Sequence, residues 1–201
     1  MDKYCELIKL AGECRNCRKC KIGGVTYEHK QDGRTVQSLL SNVFSNMQID
    51  ANLLVVGQNP GWDEMRSELP FVGASGKVFD RAIKEVVGLE RREFYISNSL
   101  KCYTPENRKP FPDELENCQY LLDREIEIMQ PKIIIALGSI AFTQLTGMNR
   151  MMRHHGEILF SPRHKISVIG VLHPSPFNMG LPDRKEAFYS DLQKLKEFLH
   201  V

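Results

Sequence analysis

Three stretches of this chain carry polar side chains on tight turns that directly follow apolar runs. In the first, Leu53-Leu54-Val55-Val56 leads into Gly57-Gln58-Asn59-Pro60-Gly61-Trp62-Asp63-Glu64. Two amides and two carboxylates are thereby presented at the C-terminal end of a buried strand, the edge at which open α/β sheets bind ligands. In the second, Phe94-Tyr95-Ile96 ends at Ser97-Asn98. In the third, 166–171 ends at His173-Pro174-Ser175-Pro176. A side-chain amide can orient and polarise a water but cannot accept its proton as a carboxylate does. Each motif alone has an ordinary reading as a turn, a cap or a core residue, since Asn-Pro and Pro-Gly are common turn dipeptides.

Six cysteines form the other chemically active set. Cys14-x-x-Cys17-x-x-Cys20 lies near the N-terminus, and fifteen residues separate Cys102 from Cys118. In a cytosolic protein this pattern favours metal binding over disulfides. Four thiolates suit either zinc or an iron–sulfur cluster, and spacing alone does not choose. Cys20 rivals its neighbours as a ligand, whereas Cys5 reads as a residue on a helix face. A cluster would fasten the N-terminal segment to the 102–118 loop, a structural role.

The elements that must position these groups follow from apolar period and breakers. Helices are expected over 3–13, 35–46, 77–87 (stopped by Gly88), 113–129, 139–146 and 184–200. Strands are expected over 52–56, 94–96, 132–137 and 166–171. The 21–34 stretch, with Gly23-Gly24 and Asp32-Gly33, reads as a loop or hairpin. Alternating strands and helices imply an α/β fold whose mainly parallel sheet is covered on both faces. The loops at 57–64, 98–110 and 173–178 should then meet at one sheet edge.

Length and composition narrow the class. The chain has 201 residues, 42% hydrophobic and 26% charged, which fits one globular domain spanning 1–201 and argues against disorder. No apolar run approaches a membrane span, and the first residues lack an apolar signal core. A cytosolic, nucleoid-associated monomer is expected. The net charge of +2 permits a nucleic-acid partner only through local basic patches. Arg150, Arg153, His154, His155, Arg163 and His164 form one such tract.

Taken together, the motifs resemble those of the uracil-DNA glycosylase superfamily, and most closely its iron–sulfur family 4. The resemblance rests on Cys14-x-x-Cys17, Gly57-Gln58-Asn59-Pro60-Gly61, Pro70-Phe71-Val72-Gly73-x-x-Gly76, Asn98-Ser99-Leu100-Lys101-Cys102, Asn107-Arg108-x-Pro110, Cys118, Leu137-Gly138-x-x-Ala141 and His173-Pro174-Ser175. It runs from about residue 5 to 200 in unbroken order. It implies a three-layer α/β/α sandwich with a four-stranded mainly parallel sheet, and a [4Fe-4S] cluster on Cys14, Cys17, Cys102 and Cys118. It also implies a DNA repair glycosylase that hydrolyses the N-glycosidic bond of uracil in DNA and leaves an abasic site.

The resemblance assigns roles residue by residue. Phe71 would stack on the flipped pyrimidine, and Asn98 would pair with its edge. His173 would donate a hydrogen bond to the base O2, and Asn59 would position the attacking water. Gln58 and Gly57 would contact base or water, Asp63 or Glu64 could add a nearby charge, and Ser175 would hold a phosphate. Phe177, Asn178 and Met179 follow the His motif, and an apolar side chain there is placed to wedge into the stack when the base leaves. The chemistry would be monofunctional, because no lysine stands out as a Schiff-base nucleophile. The chain departs from family 4 in carrying Gln58 where glutamate is usual. Gln58-Asn59 and His173-Pro174-Ser175-Pro176-Phe177-Asn178 are instead similar to the mismatch-specific and single-strand-selective families. Three other readings stay open: a glycosylase for another deaminated base such as hypoxanthine, a non-catalytic iron–sulfur DNA-binding module, and a ferredoxin-like electron carrier using Cys14, Cys17 and Cys20.

Overall fold

The computed structural model describes residues 2–31 and 34–199. Helix α1 (Lys3–Asn16) opens on Asp2, whose carboxylate caps the Tyr4 N–H. Strands β1 (Thr26–Gln31) and β2 (Arg34–Leu40) form an antiparallel hairpin. Then follow β3 (Leu53–Gly57), α2 (Trp62–Ser67), α3 (Ala74–Val86), β4 (Tyr95–Asn98), α4 (Pro112–Met129) and β5 (Ile133–Leu137). The chain continues through α5 (Ser139–Thr146), β6 (Ile158–Phe160), β7 (Ser167–Val171), α6 (Pro176–Met179) and α7 (Pro182–Leu199).

The main sheet has the order β4-β3-β5-β7-β6. Its first four strands are parallel, and β6 runs antiparallel on the edge beside β7. Because successive strand residues point to opposite faces, each parallel strand feeds two cores. On one face Val55, Ile96, Ile135 and Ile169 pack with Phe79 and Ile83 of α3 and with Phe188 and Leu192 of α7. On the other, Leu54, Tyr95, Ile134 and Val168 pack with Leu122 and Ile126 of α4 and with Phe142 and Leu145 of α5. The three layers and the parallel core match the expected α/β sandwich.

Two expectations are corrected. The sheet has five strands, not four, because Ile158–Phe160 pairs with Ser167–Val171. That edge strand is short and half exposed, so it carries no buried apolar run to betray it. The helix expected over 35–46 does not form. Residues 34–40 spend their backbone groups on β1, and the following segment is held against the β4 region, with Val43 N–H donating to Lys101 O (2.7 Å) and Asn46 N–H to Ile96 O (3.3 Å). Asp32 and Gly33 of the expected loop or hairpin, and residue 200 of the helix expected over 184–200, lie outside the described residues. Helix α3 stops as expected, where Gly88 adopts φ +87° and returns its N–H to Ile83 O.

Candidate active site and thiol cluster

Parallel pairing puts the last residues of β3, β4, β5 and β7 on one edge, with Gly57 opposite Asn98 and Leu137 opposite Val171. The loops leaving these strands enclose a cleft of about 980 Å³, within the range that takes a nucleotide-sized ligand. Gln58, Asn59, Phe71, His173 and Ser175 line it. Gly57 and Asn98 sit at the paired ends of β3 and β4, from which two of these loops leave. Ser99 and Leu100 N–H groups donate to Gly57 O and Gln58 O (2.8 and 2.9 Å), which locks the two turns together.

Gly57 has no Cβ for a steric reason. A Cβ there would lie 2.2 Å from the Phe71 ring and 2.6 Å from Asn98 Oδ1. Phe71 and Asn98 thus meet in the space the glycine leaves free. Asn98 is fully buried, and among the described residues neither its amide oxygen nor its amide nitrogen has a hydrogen-bond partner. Such a group is expensive to bury, so an unpaired amide beside the cleft-lining Phe71 ring points to a ligand that supplies the missing donor and acceptor.

The Asn59 amide is fixed by three contacts. Its Oδ1 accepts from Gln58 Nε2 (2.8 Å), and its Nδ2 donates to Pro60 O (2.9 Å) and Thr104 Oγ1 (3.2 Å). Thr104 was not legible as a site residue. It belongs to the loop after β4, and only the tertiary fold brings it to the turn after β3. Glu64 and Asp63, candidate charges for the site, both line the cleft, and the Glu64 carboxylate also accepts from the backbone N–H groups of Gly61, Val72 and Gly73.

His173 sits against Gly138, where a Cβ would come within 3.3 Å of the histidine's own Cβ; its ring centre is 6.1 Å from that of Phe71. Burial alone pulls the imidazole below its ordinary pKa, which keeps it neutral near pH 7. Its carbonyl accepts from Asn178 Nδ2 (2.7 Å), and Asn178 Oδ1 accepts from Arg184 Nη1 (2.7 Å). Ser175 caps α6, its Oγ accepting from Asn178 N–H (3.3 Å). Phe177 next to it is 69% exposed, with the Arg184 guanidinium over its ring.

The basic tract 150–164 is divided by the fold. Arg150 lines the cleft beside Met152, which is 55% exposed. His155 pairs instead with buried Asp191 (2.7 Å), His154 with Glu157, and Arg163 and His164 with Asp123 on α4.

Away from the cleft, Cys14, Cys102 and Cys118 are buried together with Leu10, Ile22, Leu100 and Leu121, and Cys20 packs against them. Cys17 and Cys20 are half exposed, and Cys5 is exposed on α1. Asn42 Nδ2 donates to Cys102 Sγ (3.4 Å), and the Lys101 N–H donates to Cys118 Sγ (3.3 Å). Burial pushes the Cys14 thiol up to about 12 and that of Cys118 to about 11, and raises Cys102 as well. Among the described residues no three such side chains close to the spacing of a single metal ion's shell.

Behind Asn98 lies a fully buried ion pair, Lys101 with Glu125 of α4. Lys101 Nζ also donates to Asn98 O (3.0 Å), and Glu125 accepts from Tyr95 Oη (2.9 Å) and Ser97 Oγ (2.8 Å). No spacing signal in the sequence links Lys101 to Glu125.

A family model described as the Uracil DNA glycosylase superfamily matches residues 44–195, which include every cleft residue named above. This chain belongs to that superfamily. Within the superfamily, the type-4 uracil-DNA glycosylase of Archaeoglobus fulgidus is 32% identical over 198 residues, covering 95% of this chain and 92% of its own length. That of Saccharolobus solfataricus is 32% identical over 199 residues, covering 94% and 85%. The type-4 enzyme of Sulfurisphaera tokodaii is 39% identical over 132 residues, covering 66% of this chain and 54% of that protein. Superfamily membership agrees with the fold class expected from the sequence.

Proposed function

We propose that this protein is a monofunctional uracil-DNA glycosylase that hydrolyses the N-glycosidic bond of uracil in DNA and leaves an abasic site. The observation that carries this reading is the unpaired, fully buried amide of Asn98 beside the Phe71 ring. The uracil edge presents N3–H as a donor and O4 as an acceptor, which complements one Asn oxygen and one Asn nitrogen. Cytosine, with an N3 acceptor and an amino donor, reverses that pattern.

The remaining residues take roles by position. A base taken out of the stack lies on the Phe71 ring, and the neutral His173 imidazole donates to O2 as negative charge develops there. Gln58 and Asn59 orient the water that attacks the sugar. Neither is a base, so catalysis rests on stabilising separated charge more than on proton removal. No lysine lines the cleft among the described residues, and Lys101 is committed to Glu125, which supports hydrolysis without a covalent intermediate. Phe177 is exposed, which suits an apolar side chain filling the gap left by the base, and Arg150 and Arg184 line the cleft as cations suited to DNA phosphates.

Cys14, Cys17, Cys102 and Cys118 would hold a [4Fe-4S] cluster. Two observations fit: the buried thiols share one apolar nest, and two of their sulfurs receive N–H hydrogen bonds, as cluster thiolates do. Ligation would make the thiolates stable where burial otherwise opposes them. When bound, the group would cross-link α1, α4 and the loop after β4.

The test is base release from oligonucleotides carrying uracil, hypoxanthine or only normal bases, followed by alkali. Uracil-specific, alkali-dependent cutting is expected. Asn98→Ala should lower the rate by roughly a hundredfold or more, the loss of about two ligand hydrogen bonds in a dry site. Release of hypoxanthine without uracil, or DNA binding without cutting, would overturn the reading.

A further inference from the structure

Phe71 adopts φ +53°, a left-handed conformation that a bulky side chain avoids. Such a backbone persists only where its surroundings over-determine it. Here two charged side chains do so from opposite ends. Arg91 donates from Nη1 to Phe71 O (2.9 Å) and from Nη2 to Pro70 O, and is itself held by Asp80 at 2.9 and 3.1 Å. Glu64 Oε1 accepts from the Val72 and Gly73 N–H groups (2.8 and 2.7 Å). Its other oxygen, Oε2, accepts from Gly61 N–H (2.9 Å). The two peptide carbonyls at positions 70 and 71 and the two N–H groups at 72 and 73 are therefore all fixed by charge-assisted bonds, the stronger class of hydrogen bond.

The Glu64 bonds reach further than one loop. Gly61 closes the turn that carries Gln58 and Asn59, so a single buried carboxylate registers the water-orienting turn against the stacking ring. Room for it is made by glycines: a Cβ on Gly61 would come within 2.6 Å of Oε2, and one on Gly73 within 3.2 Å of Oε1. Glu64 is committed to the N–H groups of Gly61, Val72 and Gly73, and Arg91 to Pro70 O, Phe71 O and Asp80.

We infer that Glu64 and Arg91 are positioning residues that set the Phe71 ring face relative to the Gln58-Asn59 turn, and so set how tightly the flipped base is held. The inference rests on the uracil glycosylase reading. It separates base recognition from DNA recognition, because the clamp acts on the ring and on no phosphate-binding residue.

Glu64→Gln keeps the volume but replaces one acceptor by a donor facing backbone N–H groups. Arg91→Lys keeps the charge but loses the two-pronged contact. For each, KM on a uracil oligonucleotide and inhibition by free uracil are measured, beside the Kd for the same oligonucleotide carrying a tetrahydrofuran abasic analogue. Both variants should raise KM and weaken uracil inhibition about tenfold, the scale of one lost charge-assisted bond, with abasic-analogue binding changed less than about twofold. Uracil inhibition that stays at the wild-type value in both variants would overturn the inference. So would parallel loss of abasic-analogue binding, which would mark a merely structural role. If Glu64→Gln does not fold, Arg91→Lys tests the same clamp from its other end. A wild-type protein that binds abasic DNA but releases no uracil would instead remove the glycosylase reading itself.

Discussion

At the residue scale, the site works by leaving polar groups unfinished in chosen places and finishing them elsewhere. Among the described residues the Asn98 amide lacks partners, whereas the adjacent Asn59 has three. The difference suits one group that must accept a ligand and one that must keep a fixed orientation. His173 adds a titratable element. Burial lowers its pKa from the ordinary value of about 6.5, so the native state binds fewer protons than the unfolded chain as acid is added. The stability this contributes is complete above the ordinary value and is lost as pH falls through the depressed one. The melting temperature of wild type minus that of His173→Gln should therefore shrink between about pH 7 and about pH 5. A constant difference would mean that the ring is not held neutral.

At the element scale, α4 ties the thiol nest to the sheet edge. Cys118 and Glu125 both project from it, one toward Cys102 and the other toward Lys101 and the end of β4. Burial pushes the Glu125 carboxyl upward, and the Lys101 ammonium opposes that shift. Removing one partner leaves an uncompensated buried charge, which costs about 3–5 kcal/mol, whereas replacing both by apolar groups of similar volume is often neutral. Urea unfolding should thus show Lys101→Met to be strongly destabilised and Lys101→Met/Glu125→Leu to recover most of the loss. Equal destabilisation of single and double variants would mean that the hydroxyls of Tyr95 and Ser97, not the ion pair, demand the charge. The hairpin of β1 and β2 is a separate device, resting Tyr27 edge-on against Trp62 and Tyr103 (centroids 6.5 and 5.3 Å) and so bracing the start of α2.

At the scale of the whole molecule, the thiol nest and the cleft occupy different parts of one scaffold, joined by the segment from Asn98 to Thr104. Loss of the proposed cluster should therefore loosen α1 first. Cys118→Ala is expected to abolish iron content and brown absorbance and to lower the melting temperature. Cys20→Ala, a substitution of the half-exposed thiol, should keep the iron. The reverse pattern would assign the ligands to the Cys14, Cys17 and Cys20 series. Much of this architecture was legible in the amino-acid order. Four apolar runs, three of them ending in polar turns, dictate parallel buried strands, and Gly-Gln-Asn-Pro-Gly and His-Pro-Ser name two of those turns. The apolar periods and breakers are local, so a linear reading suffices for them. Three things were not local. The edge strand Ile158–Phe160 exists only because β7 offers it a free edge, and 34–40 is strand only because β1 satisfies its backbone. Thr104 and Arg91 join the site through folding alone, and only the fold turns Glu64 from a candidate charge into a staple on backbone N–H groups. Hydrogen-bond partners that lie far apart in the chain leave no period to read. Which groups end up paired, and which amide is left open for a ligand, is therefore decided by the tertiary structure.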